Sequence, residues 1–356
     1  MNRDVWERLA IYESQALVRE RLKQTVVQVD QVCSWTNASF SHARNYFEVA
    51  SDSALSIKPL LIYYGVLNLA RGMSLVLSDQ DADLSFATHG LAPDDRLRGG
   101  FAEVIDLNIL KLKLFSKGAF GSLDRSTKSL NLLRGVHYSV AAAIPADRVA
   151  GGETVLIKDI LFSLPALGHV IQPWQGAEQC VGVHLERAKG AVVLKPTDIR
   201  RNGEAEEILR HLDIKTIDTE GRKIIGPFMA CDELPGLTEH THTDSGNMFA
   251  GSSRFWMYPR LGGQHAFSKI VSLFLIAFAL GMLTRYQPHL WTAMFRSSEQ
   301  DRAVPAIRAV ISYLEDEFPR TALDHLEMRS DKLELDLRDL PPTVSKLPYF
   351  ENANEH

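Results

Sequence analysis

Cysteine is scarce in this chain of 356 residues: Cys33, Cys180 and Cys231 lie far apart and form no Cys-x-x-Cys pair. That pattern argues against a disulfide framework and against a zinc ribbon. Free thiols in a reducing cytosol are the expectation. A long apolar run is also missing. The longest, Ile270 to Leu283, is interrupted by Ser272 and Gly281. It is shorter than the roughly 18–20 residues that a membrane span needs, so it reads as a buried core helix. The N-terminus, MNRDVWERLA, lacks the apolar stretch of a secretory signal. Neither sign of charge dominates, with 39 Lys plus Arg against 44 Asp plus Glu. The net charge of −5 argues against a sequence-wide basic coat for nucleic acid, although a net sum hides local clustering. Common catalytic signatures are lacking too. There is no GxxxxGK[ST] phosphate loop, no GxGxxG, no GxSxG elbow and no HExxH.

What is present is ordinary globular composition: 45% apolar and 23% charged residues, in a chain long enough for two domains. Residues 3–25 read as a helix, with Val5, Leu9, Tyr12, Ala16 and Leu17 at helical spacing. Residues 40–50 and 58–77 read as two more, the second opened by Pro59 and apolar nearly all round, which predicts burial on most sides. A loop over 79–100 precedes VIDLNILKLKLF (104–115), whose alternation predicts a strand with a hairpin through Lys117-Gly118. Residues 154–171 read as a helix broken near Pro165, and QCVGVHLER with GAVVLKP as a strand pair. EAEEILRHL (204–212) reads as a short helix, and 221–264 as strands and long loops. Helices follow over 265–285, 302–318 and 320–328.

The predicted fold is α+β: a mainly helical body, its two terminal helical blocks packed together, with a central β-rich insert. The blocks are 1–78, a mixed β-rich region 79–264, a second helical block 265–330 and a loose polar tail 339–356.

VWERLAIYES, PLLIYYGVLNLARG (59–72), THGL (88–91) and RYQPHLW (285–291) occur in this order. Together they resemble the YaaC-like family of uncharacterised, mostly bacterial proteins, from about Trp6 to the helix around Phe318. The resemblance brings no established reaction; it implies a bacterial protein, with a role in anti-phage defence among the expectations.

The RYQPHLW segment is the first candidate site. Arg285 falls where an apolar helix ends, a position that favours a cation, and Pro288 is expected to stop the helix. Arg285, Tyr286, His289 and Trp291 suit an anion or nucleotide clamp, with the guanidinium on a phosphate and an aromatic ring on a base. They suit equally a helix cap with an Arg–carboxylate tie and a Trp anchor. Tyr64, Asn68 and Arg71 share one face of the second apolar helix, beside Tyr63. Their polar atoms line a cavity or tie the β insert to the helices. His89, in a loop before a glycine, is a further candidate.

His240, His242 and Asp244 alternate in EHTHTD and would face one way on a strand, as metal ligands do. No further ligand is visible. Helical ribonucleases of the HEPN type carry Arg-x4–6-His, which Arg260 with His265 and Arg320 with His325 match. Composition alone yields such matches as often as they are found, and Leu261 and Thr321 stand where the motif's polar residue usually follows the Arg. His265 and His325 are therefore weak catalytic candidates. The sequence names no cofactor. The leading expectation is a cytoplasmic binding or assembly protein without turnover, a homo-oligomer or partner of another protein, with nucleotide or nucleic acid as ligand and no membrane. The rival is a helical ribonuclease or nucleotide-cleaving effector.

Overall fold

A computed structural model describes residues 2–22, 28–78, 88–93, 110–128, 152–162, 164–175, 181–188, 191–196, 216–219, 222–225, 237–239, 253–257, 267, 269–296 and 303–331. Two compact units divide the chain. The first comprises residues 1–128, 145–178 and 267–330, and the second 129–144, 179–266 and 331–356.

The first unit is mostly helical. The stretch expected as one helix over 3–25 is three pieces: α1 (Arg3–Leu9), a 3-10 turn (Ala10–Glu13) and α2 (Gln15–Arg21). Ser14 explains the break. Its backbone is extended and its side chain accepts from the Leu17 amide, which caps a new helix rather than continuing the old one. Helix α3 (Val29–Ser51) is longer than expected and buries Val32, Thr36, Phe40, Ala43, Phe47 and Ala50 along one stripe. Arg44 of α3 fastens the N-terminus: its guanidinium donates to Glu13 Oε1 at 2.6 Å and to Trp6 O at 2.7 Å, and lies over the Trp6 ring. Helix α4 (Lys58–Leu77) carries Pro59 in its first turn, as expected, and is buried on most sides.

Three short strands form an antiparallel sheet in the order β1 (Leu91–Pro93), β2 (Lys111–Leu114), β3 (Thr154–Leu156). The hairpin expected at Lys117-Gly118 is absent. Gly118 instead opens helix α5 (Gly118–Lys128), and β2 pairs with β1 and β3 across longer connections. Residues 154–171, expected as a broken helix, begin as β3 and continue as α6 (Ile157–Phe162), a 3-10 turn at Pro165–Leu167 and α7 (Gly168–Gln175), which runs past the expected end.

The C-terminal helices belong to the same unit. Helix α8 (Lys269–Tyr286) is buried from Ile270 to Thr284. Pro288 does not simply stop the chain's helical course: it takes the first turn of α9 (Pro288–Met294), where its missing N–H costs no bond. Residues 302–328, read as two helices, form α10 (Ala303–Asp331) through the internal Pro319. Buried Phe318, Ala322, Leu323 and Leu326 hold that helix beyond the proline, so packing outweighs the lost bond.

Helices α4 and α8 pack directly together. Phe278 meets Tyr63 edge-on, with ring centroids 5.4 Å apart. Gly281 makes the approach possible, since a β-carbon there would stand 2.7 Å from Tyr63 Cβ. Helix α10 is tied to three others by ion pairs: Glu315 to Lys58 of α4 at 2.6 Å, Glu317 to Lys269 of α8, and Glu327 to Arg8 of α1. Both α4 and α8 are long and apolar enough to cross a membrane by length and composition, a test that the interrupted run in α8 was expected to fail. Their apolar windows are 72% and 83% buried inside the protein, which accounts for the composition by packing.

In the second unit, six strands make one antiparallel sheet in the order β6 (Thr216–Thr219), β7 (Arg222–Ile225), β5 (Ala191–Pro196), β4 (Val181–Ala188), β9 (Ser253–Met257), β8 (Leu237–Glu239). The pair read from QCVGVHLER and GAVVLKP is β4 and β5, with Val183 opposite Pro196 and Ala188 opposite Ala191. The helix expected at 204–212 and the tail at 339–356 lie outside the described residues.

Candidate functional site

The arginines and histidine singled out in three separate motifs meet at one place in the first unit. Its floor is Tyr63 of α4, fully buried, with its ring against Phe278 and His89. The Tyr63 hydroxyl lies 2.6 Å from His89 Nδ1.

Backbone bonds fix His89. The amides of Ala119 and Phe120, in the first turn of α5, donate to Thr88 O at 3.1 Å and His89 O at 3.0 Å. The Phe115 amide donates to Gly90 O at 2.9 Å. Gly90 has φ of 72°, and a β-carbon on it would overlap Lys117 O, so the THGL loop needs glycine here. The loop is therefore clamped against the start of α5, and the imidazole is carried to α4 and α8, its ring 5.9 Å from that of Phe278.

Arg285 stands at the last turn of α8 and is exposed. Its Nη1 donates to the Tyr64 hydroxyl at 3.1 Å, and its guanidinium lies 5.1 Å from the Tyr286 ring centre. Among the described residues it has no carboxylate partner. Tyr64 is half-buried between the rings of Tyr46 and Tyr63. Tyr286 is 55% exposed. Asn68 turns back on its own helix, donating to Tyr64 O at 2.7 Å, and so supports α4 locally. Arg71, half-buried two turns beyond Tyr64, sends its charge to both Tyr63 and His89.

The electrostatics follow from this placement. Burial first, then the charges of Arg71 and Arg285, hold the His89 imidazole below its ordinary pKa, so it is neutral near pH 7. Burial raises the Tyr63 phenol far above its usual range, against the opposing pull of Arg71 and Arg285, so its hydroxyl keeps its proton. Burial lowers Arg71, opposed by Tyr63. The result is a neighbourhood of two guanidiniums, a neutral imidazole and three phenol rings, with Arg285 and Tyr286 at its exposed side.

Other candidates fall elsewhere. His289 is exposed and lines an open depression with Thr292, Ala293 and Arg296. Trp291 is fully buried. Its Nε1 donates to Leu55 O at 3.1 Å and its ring meets Phe295, so it is the anchor of α9 on the turn before α4. His325 is buried within α10. His240, His242, Asp244 and His265 lie outside the described residues. Among the described residues no three His, Cys, Asp or Glu side chains gather as metal ligands would. The residue that sequence reasoning left out of the site is Tyr63. Its one signal was a polar tip on an otherwise apolar helix face.

The site lies where two core helices and a clamped loop meet. A family model for YaaC-like proteins matches residues 10–326, and the chain belongs to that family. No curated protein matches the chain. No solved structure matches it either.

Proposed function

We propose that this YaaC-like protein is a non-catalytic binding component whose ligand is anionic and carries a ring, a nucleotide being the natural class. One observation carries the reading: Arg285, exposed at the last turn of α8, is held by a tyrosine hydroxyl and a tyrosine ring with no carboxylate among the described residues to neutralise it. A structural arginine is normally paired. Arg71 adds positive charge behind it, His89 adds a polar ring, and Tyr286 adds an exposed aromatic face for stacking. The absence of common catalytic motifs from the sequence favours binding over turnover.

The cellular setting completes the proposal: a cytoplasmic protein of bacterial defence, acting as an oligomer or with a protein partner. The middle of the chain is read as a β-rich insert between the helical blocks, a region suited to partner contacts. Thermal-shift titration with inorganic phosphate, phenyl phosphate and adenosine monophosphate tests the ligand class. The melting temperature is expected to rise with phenyl phosphate and the nucleotide, and Arg285→Ala is expected to abolish the rise. Equal responses from wild type and Arg285→Ala would count against this site.

The ribonuclease alternative keeps one supporting observation, that Arg320 and His325 fall on one helix. His325 is only 9% exposed, and Arg320 lies 3.8 Å from Glu317. RNA cleavage by purified protein that vanishes in His325→Ala would favour this alternative.

A further inference from the structure

We infer that His89 is a proton-operated latch: as a neutral ring it bolts the THGL loop to Tyr63 in the core, and on taking up a proton it lets go and frees the loop from the start of α5. The latch goes beyond the anion-binding reading and stands whether or not Arg285 takes a ligand.

Tyr63 is fully buried where α4 and α8 pack, and its hydroxyl lies 2.6 Å from His89 Nδ1. That nitrogen is the hydroxyl's one hydrogen-bond partner among the described residues. A buried phenol places its hydrogen on an acceptor, so Nδ1 accepts and the neutral ring carries its own hydrogen at Nε2. A protonated ring carries hydrogen on both nitrogens and cannot accept. The two hydrogens would then face each other across 2.6 Å, or the phenol hydrogen would turn away from its one partner among the described residues. Either arrangement is unfavourable.

The surroundings offer the imidazolium no counter-charge. The charges that reach the ring are the cations Arg71 of α4 and Arg285 of α8, and no carboxylate among the described residues joins them. Helix α8 adds the Phe278 ring, 5.9 Å away between centres, and α5 adds the buried Ala119 and Phe120. Asp124 and Arg125 stand further along α5 and are not among the charges acting on the ring. Burial and both cations oppose the charged form, so the proton is taken up where the ring has moved out to water.

The loop backbone has little slack. Thr88, His89 and Gly90 give three successive carbonyls to the amides of Ala119, Phe120 and Phe115. Gly118 approaches so closely that a β-carbon on it would stand 2.5 Å from Thr88 Oγ1 and 2.6 Å from Gly90 N. The Cα–Cβ bond of His89 is thereby fixed, and a ring that leaves Tyr63 takes this turn with it.

Hydrogen–deuterium exchange of the full chain tests the latch, read at the Phe115, Ala119 and Phe120 amides between about pH 7.5 and pH 5.5 and corrected for intrinsic rates. The open loop has the ordinary histidine pKa of about 6.5, and the closed loop a lower one. Protection is therefore expected to be constant above about pH 7 and to fall below it, by up to about tenfold per pH unit, the limit for one proton. His89→Gln accepts from the Tyr63 hydroxyl without titrating and should keep the three amides protected throughout. Amides at the centre of α8 should show no such loss; equal loss there would mean that the proton unfolds the whole unit, which overturns a local latch. Protection that ignores pH, or that falls equally in His89→Gln, overturns it as well. So does a His89 ring that titrates in 15N spectra while the three amides stay protected, since the ring then turns out alone. The wild-type profile and its α8 reference need no substitution, so the test survives a variant that fails to fold.

Discussion

Arg285 and Trp291 stand in one short motif, yet they do different work. Trp291 is a fully buried anchor whose indole N–H is bonded to Leu55 O. Trp291→Ala is expected to cost about 3–5 kcal/mol of stability through the cavity it leaves. Arg285 is exposed, so Arg285→Ala should change stability by no more than about 0.5 kcal/mol while removing anion binding. Urea denaturation of the two variants checks the contrast; similar losses would mean that Arg285 is structural after all. His89 gives the second prediction at this scale. Its folded pKa lies below that of the unfolded chain, so the unfolded chain takes up the proton first as pH falls. The stability contributed by neutral His89 is complete above the unfolded value of about 6.5 and is lost as pH falls through the folded value. The melting temperature of wild type should therefore drop more steeply between about pH 7.5 and pH 5.5 than that of His89→Gln. Arg285 and His89 were legible in the sequence, because an arginine at a helix end and a histidine before a glycine are local features. Tyr63 was not, because a phenol in a run of apolar residues reads as core until its hydroxyl's partner is known.

Among elements, helices α4 and α8 were the most legible, since an all-round apolar helix of about twenty residues has few alternatives. Breaks were less so. Ser14 caps a helix within what periodicity reads as a single one, and Pro319 sits inside a helix that a proline rule would end. Capping is a local signal that a weaker periodic pattern hid. Continuation through Pro319 depends on burial of Phe318, Ala322 and Leu326, which no local rule supplies. The contact between α4 and α8 carries its own prediction. Gly281→Ala would push a methyl group against Tyr63 Cβ, Cγ and Cδ1, with the nearest at 2.7 Å. Overpacking of this kind costs about 1–3 kcal/mol. Because Tyr63 holds His89, the variant should also weaken phenyl phosphate binding. Unchanged denaturation midpoint and unchanged affinity together would contradict the close approach.

Across the whole molecule, the sequence separates the members of the site by long stretches of chain, with Tyr63 and Arg71 on one helix, His89 in a loop and Arg285 near the C-terminal end. The packing of the two terminal helical blocks, expected from their apolar helices, and the clamping of the THGL loop on α5, which no pairing rule readable in one sequence specifies, bring them together. The same packing makes the centre of α8, buried from Ile270 to Thr284, and the facing stretch of α4 the slowest amides to exchange with deuterium. Faster exchange there than in α1 or α2 would show that the core lies elsewhere. The proposal that Arg285 binds an oxyanion beside His89 is tested most directly by soaking crystals of the protein in sodium tungstate, a heavy tetrahedral oxyanion. An anomalous difference peak at the Arg285 guanidinium is predicted, and its loss in Arg285→Ala. Anomalous peaks only at other surfaces, with none at Arg285 at saturating tungstate, would contradict it.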